Sequence, residues 1–287
     1  MSGTQGVAAT LALGRPSEAT VGFTLMGVVN VTPDSFSDGG LYLDPMAAVS
    51  HGLELEAQGA EILDIGGEST RPGAIPVGAE EERRRVMPVL EGLISAGARA
   101  RLSIDTYKAS VAAEALAAGA RMLNDVTALR GDPELAEVAA AAEADVCLMH
   151  MLGEPRTMQR NPRYEDVVDE VRAFLSERIE FALARGIAFE RLIVDPGIGF
   201  GKTARHNLEL LTRLDELRAL GRPILIGTSR KSFLGRLTGR ADPSERLAGT
   251  IASNVIALER GARIFRVHDV APVRDALIVA AAALEAG

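Results

Sequence analysis

The run RLSIDTYKASVAAEALAAGARMLND, residues 101–125, contains a complete structural repeat. Residues 101–104 form a short run with apolar and small residues at its centre, and it closes on Asp105. Residues 108–118 are Ala-rich and carry a helical period, and Gly119 ends that segment. A second apolar run at 121–123 closes on Asn124. A strand, a helix and a second strand joined this closely form a crossover unit, whose strands lie parallel in one sheet. Strands buried on both faces read as continuous apolar runs rather than alternating ones, and these do.

The same unit recurs on either side. Strand-like runs fall at 24–29, 61–65, 101–104, 121–123, 145–149, 191–194, 223–226 and 263–267. Segments of helical period fall at 45–58, 79–95, 108–118, 133–142, 164–185, 206–220, 243–260 and 272–284. Several helices open with Pro or after Asp and end near Gly59, Gly97, Gly119, Gly186, Gly221 or Gly261. No linker interrupts the series. Eight alternating units predict an α/β fold, a (β/α)8 TIM barrel in a single domain over 23–287, with a short N-terminal extension at 1–22.

Composition agrees with this. The chain has 287 residues, 47% of them hydrophobic and 24% charged, enough for one large core. Aromatic residues are only 4% and Trp is absent, which suits helices packed closely on a sheet better than a β-sandwich. A net charge of -8 and the lack of a long Lys/Arg run argue against nucleic acid as a partner, since phosphate backbones are held by basic surfaces. The single Cys147 lies in an apolar run and reads as a core residue in a reducing compartment. No basic start followed by an apolar core marks a signal sequence, and no apolar stretch reaches the roughly 20 residues of a membrane span, so a soluble, cytoplasmic protein without a membrane partner is expected.

Function is legible where the strands end. Their carboxyl ends carry Asn30, Asp64, Asp105, Asn124, His150, Asp195, Ser229 and the pair Arg266 and His268. A single one would read as a turn or cap, but a barrel brings all of these ends to the face where its active sites lie. After the first strand, Asn30-Val-Thr-Pro-Asp34-Ser-Phe36-Ser-Asp38-Gly-Gly is longer than a simple connection needs and reads as a lid or as a plain surface loop. After the second, Gly66-Gly-Glu-Ser-Thr70-Arg71-Pro72-Gly73 offers permissive glycines and an Arg able to reach phosphate.

Asp105 and Asn124 facing a cavity suit an aminopyrimidine edge, because a carboxylate accepts two donors while an amide both donates and accepts. For Asp125 a helix-capping role is preferred. Asp195-Pro-Gly-Ile-Gly-Phe200-Gly-Lys202-Thr203 resembles a phosphate loop, but Pro196 stands where that motif needs Gly. It reads instead as a loop presenting Asp195 and an apolar Phe200, with Lys202 either assisting an anion or, more ordinarily, an exposed lysine at a helix start. Ser229-Arg230-Lys231-Ser232 and Arg266-Val-His268 supply cations, and residues 266 and 268 share a strand face, suiting a fixed pair of donors to an anion.

In this order these motifs resemble those of the dihydropteroate synthases, over nearly the whole span from Met26 to Asp269. Ile198 is a small departure, at a position where a bulkier aromatic residue is expected in some relatives. The resemblance implies a transferase of folate biosynthesis, a sulfonamide target, which condenses 6-hydroxymethyl-7,8-dihydropterin pyrophosphate with p-aminobenzoate. It implies that Asp105, Asn124, Asp195, Lys231 and Arg266 hold the pterin, and that Asn30, Arg71, Arg266 and His268 address the pyrophosphate. Phe36, Thr70, Pro72, Phe200 and Ser232 would form the p-aminobenzoate pocket. Asp38, Arg71, Lys231, Arg266 and His268 would be catalytic, and Asn30 would ligate a magnesium ion (Mg2+) carried by the pyrophosphate. It also implies a homodimer.

Three rivals stand beside this reading. A methyltransferase barrel that takes its methyl group from folate has no need of the cationic motifs after the last two strands or of the long first loop. A noncatalytic pterin-binding protein would keep the barrel without turnover. A Schiff-base aldolase wants its lysine within a strand, and neither Lys202 nor Lys231 is so placed.

Overall fold

The computed structural model describes residues 22–32, 44–70 and 73–286. Strands β1 (Thr24–Asn30), β2 (Ile62–Gly66), β3 (Arg101–Asp105), β4 (Met122–Asp125), β5 (Asp145–Met149), β6 (Leu192–Asp195), β7 (Leu225–Ile226) and β8 (Ile264–Val267) form one sheet. Its order is β6-β5-β4-β3-β2-β1-β8-β7, and every pairing is parallel. A parallel bridge from Val194 to Ile224 carries β6 on to the foot of β7 and brings the sheet to a nearly closed barrel, as the sequence predicts.

Around it run α1 (Pro45–Ala57), α2 (Ala79–Ser95), α3 (Ala109–Ala118), α4 (Leu135–Ala141), α5 (Val167–Ala184), α6 (Ala204–Thr212), α7 (Ser232–Thr238), α8 (Leu247–Glu259) and α9 (Val270–Ala286). The period-two alternation of each strand divides the core. Leu25, Val29, Leu63, Ile65, Leu102, Ile104, Leu123, Val146, Leu148 and Val194 pack outward on the helices in one large cluster. Met26, Ile62, Met122, Cys147, Ile193, Leu225 and Ile264, one from every strand except β3, form a separate cluster filling the barrel interior. Cys147 is therefore the core residue expected.

Differences from expectation are local. The helix expected over 206–220 is α6 followed by a 3-10 turn, Leu214–Leu220, which ends at Gly221 with φ +68°. The helix expected over 243–260 starts as a 3-10 turn, Pro243–Arg246, where Asp242 accepts from Ser244 N at 2.8 Å, before α8 begins. The last helix starts at Val270 rather than at residue 272, because Pro272 sits in the first turn, where its missing N–H leaves no helical bond unmade. Helix α7 occupies residues read from the sequence as loop. The expected extension lies outside the described residues except for Gly22.

Candidate active site

A cavity of about 440 Å3 opens at the carboxyl ends of the strands. Asn30 on β1, Asp105 on β3, Asn124 on β4 and Asp195 on β6 line it, with Lys231 after β7 and Arg266 on β8. Thr70, Phe200, Ser229, Arg230, Ser232 and His268, which sequence analysis also placed at this face, line the cavity with them. Phe36, Asp38, Arg71 and Pro72 lie outside the described residues.

The floor is an ion-paired network. Arg266 Nε donates to Asp64 Oδ2 at 2.6 Å and its Nη2 donates to Asp105 Oδ2 at 2.9 Å. Asp64, wholly buried, also accepts from Ser103 Oγ at 2.6 Å and from Asn124 Nδ2 at 2.9 Å. The Arg266 guanidinium is thus turned to two carboxylates and sets their places. Asp64 received no role from the sequence beyond its strand-end position, yet it joins β2, β3, β4 and β8. The signal was one carboxylate in the apolar run Ile62–Gly66.

Electrostatics follow from that crowding. Burial pushes the Asp105 carboxyl up to about 8 against the pull of Arg266, with the Asp64 charge adding to the rise. Burial also raises Asp195, opposed by Lys231 and by Gly197 N, which donates to its Oδ1 at 2.7 Å. The same burial lowers Lys231 to about 8, against the pull of Asp195. Lys231 Nζ donates to Ile198 O and stands 4.6 Å from the centre of the Phe200 ring. Arg230 has φ +57°, a strained backbone, and its guanidinium forks onto Asp269 at 2.9 and 2.6 Å. That pair ties the loop after β7 to the end of β8. There Ser229 Oγ lies 3.0 Å from His268 Nδ1 and accepts from His268 N at 3.2 Å.

Two strand-end residues do not reach the cavity: Asp64 lies beneath it, and His150 packs edge-on against Phe174 with ring centres 4.9 Å apart. Asp125 accepts from Thr127 N, Thr127 Oγ1 and Leu129 N, so it organises its own turn rather than capping a helix as expected, since the next helix, α4, begins only at Leu135. Lys202 corrects an expectation. It is 2% exposed, and its Nζ lies 2.9 Å from His150 Nδ1. Lining residues to which the sequence reading gave no part in the site include Thr32, Glu68, Met149, Met158 and Arg246. The methionines carry no polar signal that could mark them. Glu68, held by Tyr107 Oη at 2.9 Å and by Lys108, was legible only as part of its loop.

A parallel barrel with paired carboxylates, an amide and cations in one cavity defines a class: barrel enzymes that hold a polar heterocycle beside an anion. A sequence-family model described as pterin binding enzyme matches residues 26–268. The dihydropteroate synthase of Escherichia coli K12 is 47% identical over 262 residues, 91% of this chain and 92% of that one. A solved Xanthomonas albilineans dihydropteroate synthase with 4-aminobenzoic acid is 50% identical, with a TM-score of 0.85, covering 95% of this chain and 94% of that one. The Yersinia pestis dihydropteroate synthase solved with a sulfonamide drug is 44% identical, with a TM-score of 0.89, over 92% and 95% of the two chains. This chain belongs to the dihydropteroate synthase family of pterin-binding enzymes.

Proposed function

We infer that the chain acts as its family does, as a transferase of folate synthesis that joins 6-hydroxymethyl-7,8-dihydropterin pyrophosphate to p-aminobenzoate and releases pyrophosphate. The observation that carries this is one cavity holding Asp105, Asn124 and Asp195 on three strand ends, with Lys231 and His268 opposite. The carboxyl groups and the amide take the donors and acceptors of an aminopyrimidine ring, while Arg266 keeps the Asp64 and Asp105 carboxyl groups in place. Apolar Phe200, beside Thr70 and Ser232, suits an aryl ring with a polar end, and Phe36 and Pro72 belong to the same pocket by family resemblance. The Xanthomonas protein solved with 4-aminobenzoic acid and the Yersinia protein solved with a sulfonamide drug support an arylamine as the second substrate.

In the reaction the C–O bond to pyrophosphate breaks, the C–N bond to the arylamine forms, and the amine loses a proton. Positive charge on the exocyclic methylene is spread into the electron-rich dihydropterin, so the protein's work is to hold the ring and to neutralise the departing anion. By family resemblance Arg71, Arg266 and His268 would address that anion, and Asp38, with its loop folded in, would face the developing cation. No strong base is needed, since a neutral arylamine is already nucleophilic.

The donor set fits magnesium brought by its substrate. Asn30 places one amide at the cavity wall, and no group of three or more His, Cys, Asp or Glu that could hold a metal exists among the described residues. A hard cation bound by one protein oxygen and by phosphate oxygens needs no more than this. When bound, it would neutralise pyrophosphate charge. We further propose a cytoplasmic homodimer, and a stable monomer in sedimentation at micromolar concentration would overturn the second part.

The test is chromatographic: the purified chain with both substrates and magnesium forms dihydropteroate. Product must vanish when either substrate is omitted.

A further inference from the structure

Every carbonyl of the segment 197–201 accepts a hydrogen bond from a side chain. Lys202 Nζ donates to Gly197 O and to Phe200 O, each at 3.0 Å. Lys231 Nζ donates to Ile198 O, Gln159 Nε2 to Gly199 O, and Tyr164 Oη to Gly201 O at 2.8 Å. The reason lies in the backbone. Gly197, Gly199 and Gly201 have φ of +66°, +85° and +64°, a path that belongs to neither helix nor strand, so apart from the turn in which Phe200 N donates to Gly197 O at 3.0 Å the carbonyls take side-chain donors.

Among these donors Lys202 is unusual, because it takes two of the five carbonyls and is almost completely buried. Its third contact, His150 Nδ1, belongs to a ring fixed against Phe174. As an amine, Lys202 donates to both carbonyls and accepts from the Nδ1–H tautomer of His150. As an ammonium, it donates to all three. Burying an amine is costly unless every hydrogen is used, and here the geometry uses them. The segment so gathered carries Phe200 to the cavity wall, whereas Asp105 and Asn124 stand on strands that the segment does not support.

We propose that Lys202 is a positioning residue of the reaction: by drawing Gly197 O and Phe200 O onto one nitrogen, it sets the place of Phe200 and hence the fit of the arylamine substrate. This rests on the reading of Phe200 as the wall of the p-aminobenzoate pocket. On the pterin side, Asp195 and Lys231 touch the segment through Gly197 N and Ile198 O, whereas Asp105 and Asn124 do not, so the larger effect falls on the arylamine.

The experiment is steady-state kinetics on Lys202→Met, which keeps the stem and removes the donors, together with calorimetry of pterin pyrophosphate. The KM for p-aminobenzoate should rise roughly tenfold or more, the scale of misplacing a binding group by about an ångström. The Kd for the pterin should rise by a clearly smaller factor, since only Asp195 and Lys231 among its residues touch the segment. In a Phe200→Ala background, Lys202→Met should add no further rise, since both changes remove the same wall. An unchanged p-aminobenzoate KM, parallel weakening of both substrates, or additive effects in the double variant would overturn the proposal. Should Lys202→Met fail to fold, Tyr164→Phe removes only the donor to Gly201 O: a smaller rise in the same KM is expected, and no rise overturns. If the unaltered chain makes no dihydropteroate, the functional reading fails instead. The positioning claim is then judged by p-aminobenzoate affinity in the presence of pterin, which Lys202→Met should weaken and which, if unchanged, overturns it.

Discussion

Asp195 and Asp64 show how two buried carboxylates come to differ in purpose. Asp195 lines the cavity and spends one oxygen on Gly197 N, leaving the other for a ligand donor. Asp195→Ala should therefore weaken pterin binding by about 2–3 kcal/mol, the cost of stranding a donor in a buried site, with calorimetry as the check. Asp64 is spent wholly on Ser103, Asn124 and Arg266. Asp64→Ala would leave a half-buried guanidinium short of one partner, so an unfolding loss of about 3–5 kcal/mol in urea is expected, with activity lost alongside. Sequence reading assigned the first residue and passed over the second, because a strand-end position tells which face a side chain shares but not which neighbours exhaust it. Lys202 shows the same limit: one lysine letter before a helix reads the same whether the loop folds over it or away from it.

The elements were legible to the extent that their period was. Helix α2 falls where its pattern puts it, and each observed strand overlaps its apolar run, because buried parallel strands announce themselves. What escaped was short or irregular: α7, only seven residues, and the break between α6 and the following 3-10 turn. Loop geometry escaped too, since it depends on tertiary contacts. At Gly197 a Cβ would stand 1.9 Å from His150 O on a backbone of φ +66°, so Gly197→Ala should destabilise by several kcal/mol or prevent soluble expression, read by the thermal midpoint. Helix α6 begins with a capping box, Thr203 Oγ1 accepting from His206 N at 3.2 Å and His206 Nδ1 accepting from Thr203 N at 3.3 Å. Thr203→Ala should cost about 1 kcal/mol in the same assay.

At the scale of the molecule, the barrel gathers distant motifs and buries what they need, and burial makes stability depend on pH. His150, in its buried place near Lys202, has its pKa lowered from 6.5 to about 2. Between those values the unfolded chain takes a proton that the native chain refuses, so this group's contribution is intact above pH 6.5 and is lost as the pH falls toward 2. Asp125 and Asp195, raised by burial, act with the opposite sign, since the native state holds their protons to higher pH. Comparison with His150→Gln isolates the imidazole: the variant should show a shallower fall in stability on the acid side, measured by urea unfolding across that range. The architecture and most of the cavity were readable from eight repeated units with polar ends. The inward floor of Asp64 and Arg266 was not, because strand order and register decide it.

The central claim is that this cavity couples departure of pyrophosphate to capture of an arylamine. The measurement that tests it most directly is pyrophosphate release by the purified chain supplied with 6-hydroxymethyl-7,8-dihydropterin pyrophosphate and magnesium, with and without p-aminobenzoate. Release that matches dihydropteroate formed, and that depends on both substrates, is the result expected. Tight pterin binding with no release in the presence of p-aminobenzoate would contradict it and leave a pterin-binding barrel without turnover.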